Sequence, residues 1–71
     1  MRGFELHGNI TILDTTLKTF VLRGVTVNYA NAVLYKDGIE ADLKVGAEVE
    51  VKGMLNLDGK TLAAVRIEFE K

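Results

Sequence analysis

Glu48 and Glu50, then Glu68 and Glu70, recur at a spacing of two in the stretches EVEV and EFE. In an extended chain that spacing puts both members of a pair on one face, so two such stretches side by side assemble a carboxylate cluster. A cluster of that kind is the raw material of glycosidase-like acid–base chemistry or of a hard-cation site. Lys52 and Arg66 are interleaved with it, however, and mixed charges on an exposed strand face make cross-strand pairs of about 0.2–1 kcal/mol that serve register and solubility. His7, the single histidine, alternates with Glu5 on an outer face, and no spacing nominates the further ligands a metal requires. No metal and no cofactor is expected.

Other routes to chemistry are equally thin. LKVGAEVEVKG, Leu43 to Gly53, has two glycines and flanking lysines, but a phosphate loop needs a Lys-Ser/Thr pair and a long helix, and here Val-x-Val follows. Serine and cysteine are both absent, which removes the two commonest side-chain nucleophiles and argues against an enzyme. Single-stranded nucleic acid would need aromatic platforms beside basic residues. Phe4, Phe20 and Phe69 fall on core positions, leaving Tyr29 and Tyr35 as platforms. The flanking loops, Asp14 to Lys18 and Leu57 to Lys60, each carry one lysine and one aspartate, and the chain's net charge is −1. Counterion release therefore supplies little affinity, and a nucleic-acid partner is disfavoured.

The elements that must position these residues are strands. Residues 1–71 make one small domain, long enough to bury only about 60% of its unfolded surface. No apolar run approaches the ~20 residues of a membrane span, so no membrane insertion is expected. MRGFELHG lacks a signal-peptide core, and the lack of cysteine leaves the compartment open.

Period-two alternation dominates and predicts an all-β domain. In FELHGNITIL, Phe4, Leu6, Gly8, Ile10 and Ile12 are expected inward, with Gly8 letting a long first strand coil. TFVLR and VTVNY form a hairpin about Arg23-Gly24, pairing Leu22 with Val25 and Phe20 with Val27, with Arg23 at positive φ. Short extended pieces are expected at Val33 to Tyr35 and Ile39 to Ala41, around a turn at Asp37-Gly38. ADLKVG reads as a helical turn closed by Gly46 in the left-handed conformation, with Leu43 plugging a barrel end. EVEVKGML and TLAAVRIEF are then the fourth and fifth strands. Val49, Val51, Gly53 and Leu55 are expected inward with Ala63, Val65, Ile67 and Phe69. A three-residue loop, Leu57-Asp58-Gly59, satisfies that parity by pairing Val51 with Val65, Val49 with Ile67 and Glu50 with Arg66. The same register leaves Met54, Leu62 and Ala64 outside as an apolar protein-contact patch, with Leu13 elsewhere on the surface. The predicted fold is a small five- to six-stranded OB-like β-barrel with a short helical turn before the fourth strand.

The chain also carries Gly8-x-Ile10, Phe20-x-Leu22-x-Gly24-x-x-Val27, Leu43-x-x-Gly46-x-x-Val49-x-Val51-x-Gly53, Asp58-Gly59 and Leu62-x-Ala64-x-x-Ile67. This pattern, from Gly8 to Ile67, resembles the bacterial domain-of-unknown-function 5666 family. It departs from the family at Ala32 to Tyr35, where a Thr often precedes an aromatic residue. The resemblance implies a small OB-like barrel, often present in several copies within larger exported or envelope proteins, with no assigned activity and no functional residues to carry over. The expectation is a non-enzymatic module, excised from a larger protein, that acts in protein contacts or as a spacer and whose partners are neighbouring domains or another protein. An exported or envelope location is favoured, with the cytoplasm open. The other reading is an OB-type single-stranded nucleic-acid-binding domain that uses Tyr29 and Tyr35.

Overall fold

The alternation along the chain is realised as six strands in a computed structural model that describes residues 3–70. They are β1 (Gly3–Asp14), β2 (Thr19–Leu22), β3 (Val25–Asn28), β4 (Leu34–Lys36), β5 (Glu48–Leu55) and β6 (Thr61–Phe69), with a 3₁₀ turn at Glu40–Asp42 before β5. The sheet order is β3-β2-β1-β5-β6-β4, and a parallel pairing of β3 with β6 closes β1, β2, β3, β6 and β5 into a ring. β4 lies parallel to β6, pairing Leu34 with Arg66 and Lys36 with Glu68. The all-β class is thus as expected, with the short β4 as a sixth strand.

β1 serves both halves of the ring. Gly3 to Asn9 pair with β5, and from Ile10 onward the strand pairs with β2. A bulge marks the change: Ile10 faces Leu22, but Ile12 faces Val21 and Leu13 faces Phe20. The extra residue, Thr11, flips the parity of everything after it. Two expectations are corrected for that reason. Ile12 points outward, and Leu13 packs partly buried against the core. Phe4, also expected inside, sits at the mouth of the ring, 45% exposed. The β2–β3 hairpin forms in the expected register, with Arg23 at φ 51° and Gly24 at φ 77°.

Ile39 to Ala41 is not an extended piece. Ile39 is extended, but the 3₁₀ turn begins at Glu40, because the Asp42 carboxylate accepts the Ile39 N–H at 2.9 Å and the Leu43 N–H donates to Glu40 O at 3.0 Å. Gly46, at φ 92°, closes the next turn, in which Ala47 N–H donates to Lys44 O. Leu43 is buried at that end of the ring as expected.

β5 and β6 differ most from expectation. The Asn56 N–H donates to Thr61 O at 2.7 Å, so the loop spans Leu57 to Lys60, one residue longer than the three-residue loop. Leu55 then faces Leu62 and Gly53 faces Ala64, until a second bulge at Val65 sets Lys52 against Arg66 and Val51 against Ile67. Loop and bulge each shift parity once, and the shifts cancel beyond the bulge. Val49, Val51, Ile67 and Phe69 therefore point inward as expected. Between loop and bulge the faces are exchanged: Leu62 and Ala64 enter the core, each 2% exposed, while Val65 is turned out. Gly53 is what lets the bulge close. A Cβ there would stand 2.1 Å from the Ala63 carbonyl oxygen, closer than any side chain can approach.

Candidate interaction surface

The apolar patch drawn from sequence does not form. Leu62 and Ala64 belong to the core cluster, and Met54, opposite Ala63, is a partly exposed outer residue by itself. The bulge at Val65 is the physical reason. Apolar side chains are nevertheless exposed in two other places. Phe4 and Leu55, the latter 42% exposed, flank a slot of about 120 Å³ that is also lined by Glu5, Leu6, Val25 and Leu62. Val33, Leu34 and Val65 lie together on the β4–β6 side, where Val33 N–H donates to Val65 O at 3.0 Å and all three side chains are exposed.

The carboxylates do come together. His7 Nε2 lies 3.0 Å from Glu48 Oε2 and 3.5 Å from Glu70 Oε1, and Glu50 is directly opposite Glu68. The expected Glu50–Arg66 cross-strand pair is replaced. Arg66 turns to Glu68 on its own strand at 3.3 Å, and Lys52, now opposite Arg66, reaches Glu5 at 3.1 Å. Among the described residues no group of three His, Cys, Asp or Glu side chains has the arrangement to hold a metal ion. An open hollow of about 500 Å³ lies beside this region, lined by Phe69, Ala41 and Ala47 together with Asp37, Asp42, Lys44, Glu48 and Glu70.

Both tyrosines turn inward. Tyr29 is 2% exposed, its ring stacked on Phe20 with centroids 5.7 Å apart, and Lys18 Nζ stands 5.8 Å above it while ion-pairing with Glu40. Burial raises the Tyr29 phenol above its ordinary pKa, against the pull of the Lys18 charge and with smaller support from Glu40 and Asp14. The Tyr35 hydroxyl is buried without a hydrogen-bond partner, and burial pushes its pKa up to about 12. Tyr29 offers no face on which a base can stack, and Tyr35 is partly buried against the core.

The family model described as "Domain of unknown function (DUF5666)" matches residues 7–68. The chain belongs to this family. Among solved structures, the chain is similar to the fimbrial biogenesis protein PilY2 from Pseudomonas aeruginosa PAO1, with a TM-score of 0.73 and 18% identity over 99% of this chain and 80% of that one. At that identity the likeness is one of fold. No curated protein matches the chain.

In this DUF5666 domain, sequence reasoning missed the Phe4–Leu55 slot and the Val33–Leu34–Val65 group. The slot had one legible signal. Phe4 and Leu55 lie at opposite ends of their strands, the one opening β1 and the other closing β5, so an antiparallel pairing brings both to one mouth. Val33 and Leu34 are consecutive apolar residues, which no strand can bury on a single face. Among the described residues, no helix is long and apolar enough to cross a membrane.

Proposed function

We propose that this domain is a non-enzymatic module of a larger bacterial exported or envelope protein and that it acts through protein contacts. The observation that carries this reading is the distribution of apolar side chains. Ten large ones are exposed among the described residues, against twelve apolar residues in the core. Single exposed apolar residues are ordinary, but adjoining ones on strands are what a protein partner covers. The similarity to a fimbrial biogenesis protein supports an exported setting. The carboxylates favour no reaction either: Glu48 and Glu70 are exposed beside His7, and Glu68 is answered by Lys36 and Arg66. The nucleic-acid reading has no platform to rest on, since Tyr29 and Tyr35 both pack inward.

The test is photo-crosslinking in cells from a benzoyl-phenylalanine placed at Leu34, at Leu55 and, as a polar exposed control, at Thr26. Discrete protein adducts at Leu34 or Leu55 and none at Thr26 are expected. Equal labelling at all three sites, or adducts to nucleic acid, would overturn the reading.

A further inference from the structure

β1 has an edge that the ring leaves unused. The Ile10 N–H donates to Ala47 O at 2.9 Å and its carbonyl accepts from Gly46 N–H at 2.8 Å, so Ile10 turns its backbone groups to the β5 side. Backbone groups alternate along an antiparallel strand, so Glu5 and His7 turn theirs the other way. That direction is confirmed by Arg23 Nη1, which donates to the His7 carbonyl at 3.1 Å from the side opposite β5. Among the described residues, β2 meets β1 only from Ile10 onward, and Gly3 to Asn9 pair with β5 alone. The N–H and C=O of Glu5 and the N–H of His7 thus face a gap in the sheet. The slot of about 120 Å³ opens beside this edge, walled by Phe4 and Leu6 on one side and Val25 and Leu62 on the other.

We infer that this edge and slot take an extended segment of a partner protein by strand addition, with apolar residues at alternate positions and a basic residue beside Glu5. This deepens the protein-contact reading and rests on it. An extended chain is the occupant that satisfies a row of free backbone groups while placing alternate side chains in a groove. The slot volume suits one aliphatic side chain at a time and falls short of the roughly 300–1,000 Å³ of small-molecule sites. Charge gives the remaining term. Glu5 is the one acidic residue lining the slot; it pairs with Lys52 of β5 at 3.1 Å, yet its side chain is 61% exposed, so a lysine or arginine on an added strand can meet it from the open side. A second copy of β1 fits poorly. Antiparallel pairing centred on Glu5 opposes two glutamates, and sliding toward His7 drives the copy into the Arg23-Gly24 hairpin next to Ile10.

The probe is an acetylated, amidated heptapeptide of alternating threonine and valine whose central threonine is replaced by lysine, titrated into the labelled domain by NMR. Expected are downfield shifts of the Glu5 and His7 amides, slowed exchange there, and methyl shifts at Leu6, Val25 and Leu62. N-methylation of the peptide's pairing edge should weaken binding by about tenfold or more, and Glu5→Lys should reverse the preference between lysine and glutamate versions. The inference is overturned by silence of these amides up to about 1 mM peptide, by equal binding of the N-methylated peptide, or by shifts confined to Val33, Leu34 and Val65. Concentration-dependent shifts of Glu5 and His7 without peptide would assign the edge to a second copy and overturn it too. Crosslinks from Leu34, which lies on β4 away from the slot, would stand in each of these cases, so failure of the strand-addition site is distinct from failure of the protein-contact reading.

Discussion

Arg23 Nη1 donates to the carbonyl oxygen of His7 at 3.1 Å, and the stem of the same arginine lies over Gly8, where a Cβ would stand 2.9 Å from Arg23 Cγ. One side chain from the β2–β3 hairpin thereby occupies a backbone acceptor on the open edge of β1. Charged residues at such positions keep a sheet edge from pairing indiscriminately. Gly8 was expected to coil the first strand, and the structure gives it a second role as the floor for this arginine.

Two glycines facing inward on neighbouring strands should respond very differently to a methyl group. At Gly8 the neighbour is a surface side chain able to swing away, so Gly8→Ala should cost less than about 1–2 kcal/mol while freeing the His7 carbonyl. At Gly53 the neighbour is the Ala63 backbone, 2.1 Å away, so Gly53→Ala should cost more than about 3 kcal/mol or abolish folding. Urea denaturation of the two variants checks the order, and a smaller loss at Gly53 would refute the bulge geometry.

Leu62 and Val65 supply a test of the register itself. Sequence parity puts Val65 in the core and Leu62 outside, and the structure reverses both. Leu62→Ala should cost about 2–5 kcal/mol and Val65→Ala no more than about 0.5 kcal/mol. Equal losses would restore the sequence register.

The reversal also shows what was legible. Hydrophobic alternation specifies which residues of a strand share a face, and it gave Phe20, Leu22, Val27, Val49, Val51, Ile67 and Phe69 correctly as core residues. It does not announce a bulge. Thr11 and Val65 each add a residue without any local signal such as Gly or Asn, and each exchanges the faces on one side of it. The surface patch was drawn across one of those points and so dissolved. The open edge of β1 was hidden for a related reason: it depends on where β2 stops, and that is set by the Arg23-Gly24 turn meeting the Thr11 bulge. Tyr29 and Tyr35 were illegible in another way, since an aromatic residue following a strand reads equally as platform or core until its neighbours are placed.

Tyr35 predicts a stability change at alkaline pH. Its buried hydroxyl has no partner, and burial holds the neutral form up to a pKa of about 12. An unfolded tyrosine ionises near its ordinary value of 10.0. Above pH 10 the unfolded chain therefore loses the proton while the folded one keeps it, so the contribution of Tyr35 is full below pH 10 and is lost as pH rises toward about 12. Tyr35→Phe should remove this alkaline loss and, by deleting an orphaned hydroxyl, hold stability at neutral pH or raise it by about 1 kcal/mol. Thermal melts between pH 8 and 12 check it, and a destabilised Tyr35→Phe with an unchanged alkaline limb would contradict the assignment.

Asp58 predicts the opposite limb. Its Oδ1 accepts the N–H of Lys60 at 2.8 Å and of Thr61 at 2.9 Å, and Oδ2 accepts the Thr61 hydroxyl at 3.0 Å. The backbone bond from Lys60, then those from Thr61, hold its carboxyl below the ordinary value of 3.8. In the unfolded chain these bonds are gone, so the unfolded state takes up the proton first. The stabilisation is fully present above pH 3.8 and fades as pH falls from there through the lower folded value. Asp58→Asn keeps an acceptor but loses the charge, so its deficit against the parent should be largest near neutrality and shrink below pH 4. Because these bonds set the four-residue loop, the variant should also loosen the Asn56–Thr61 closure, seen as faster amide exchange at Asn56. A deficit that stays constant down to pH 2 would show that the carboxylate charge contributes nothing to the turn.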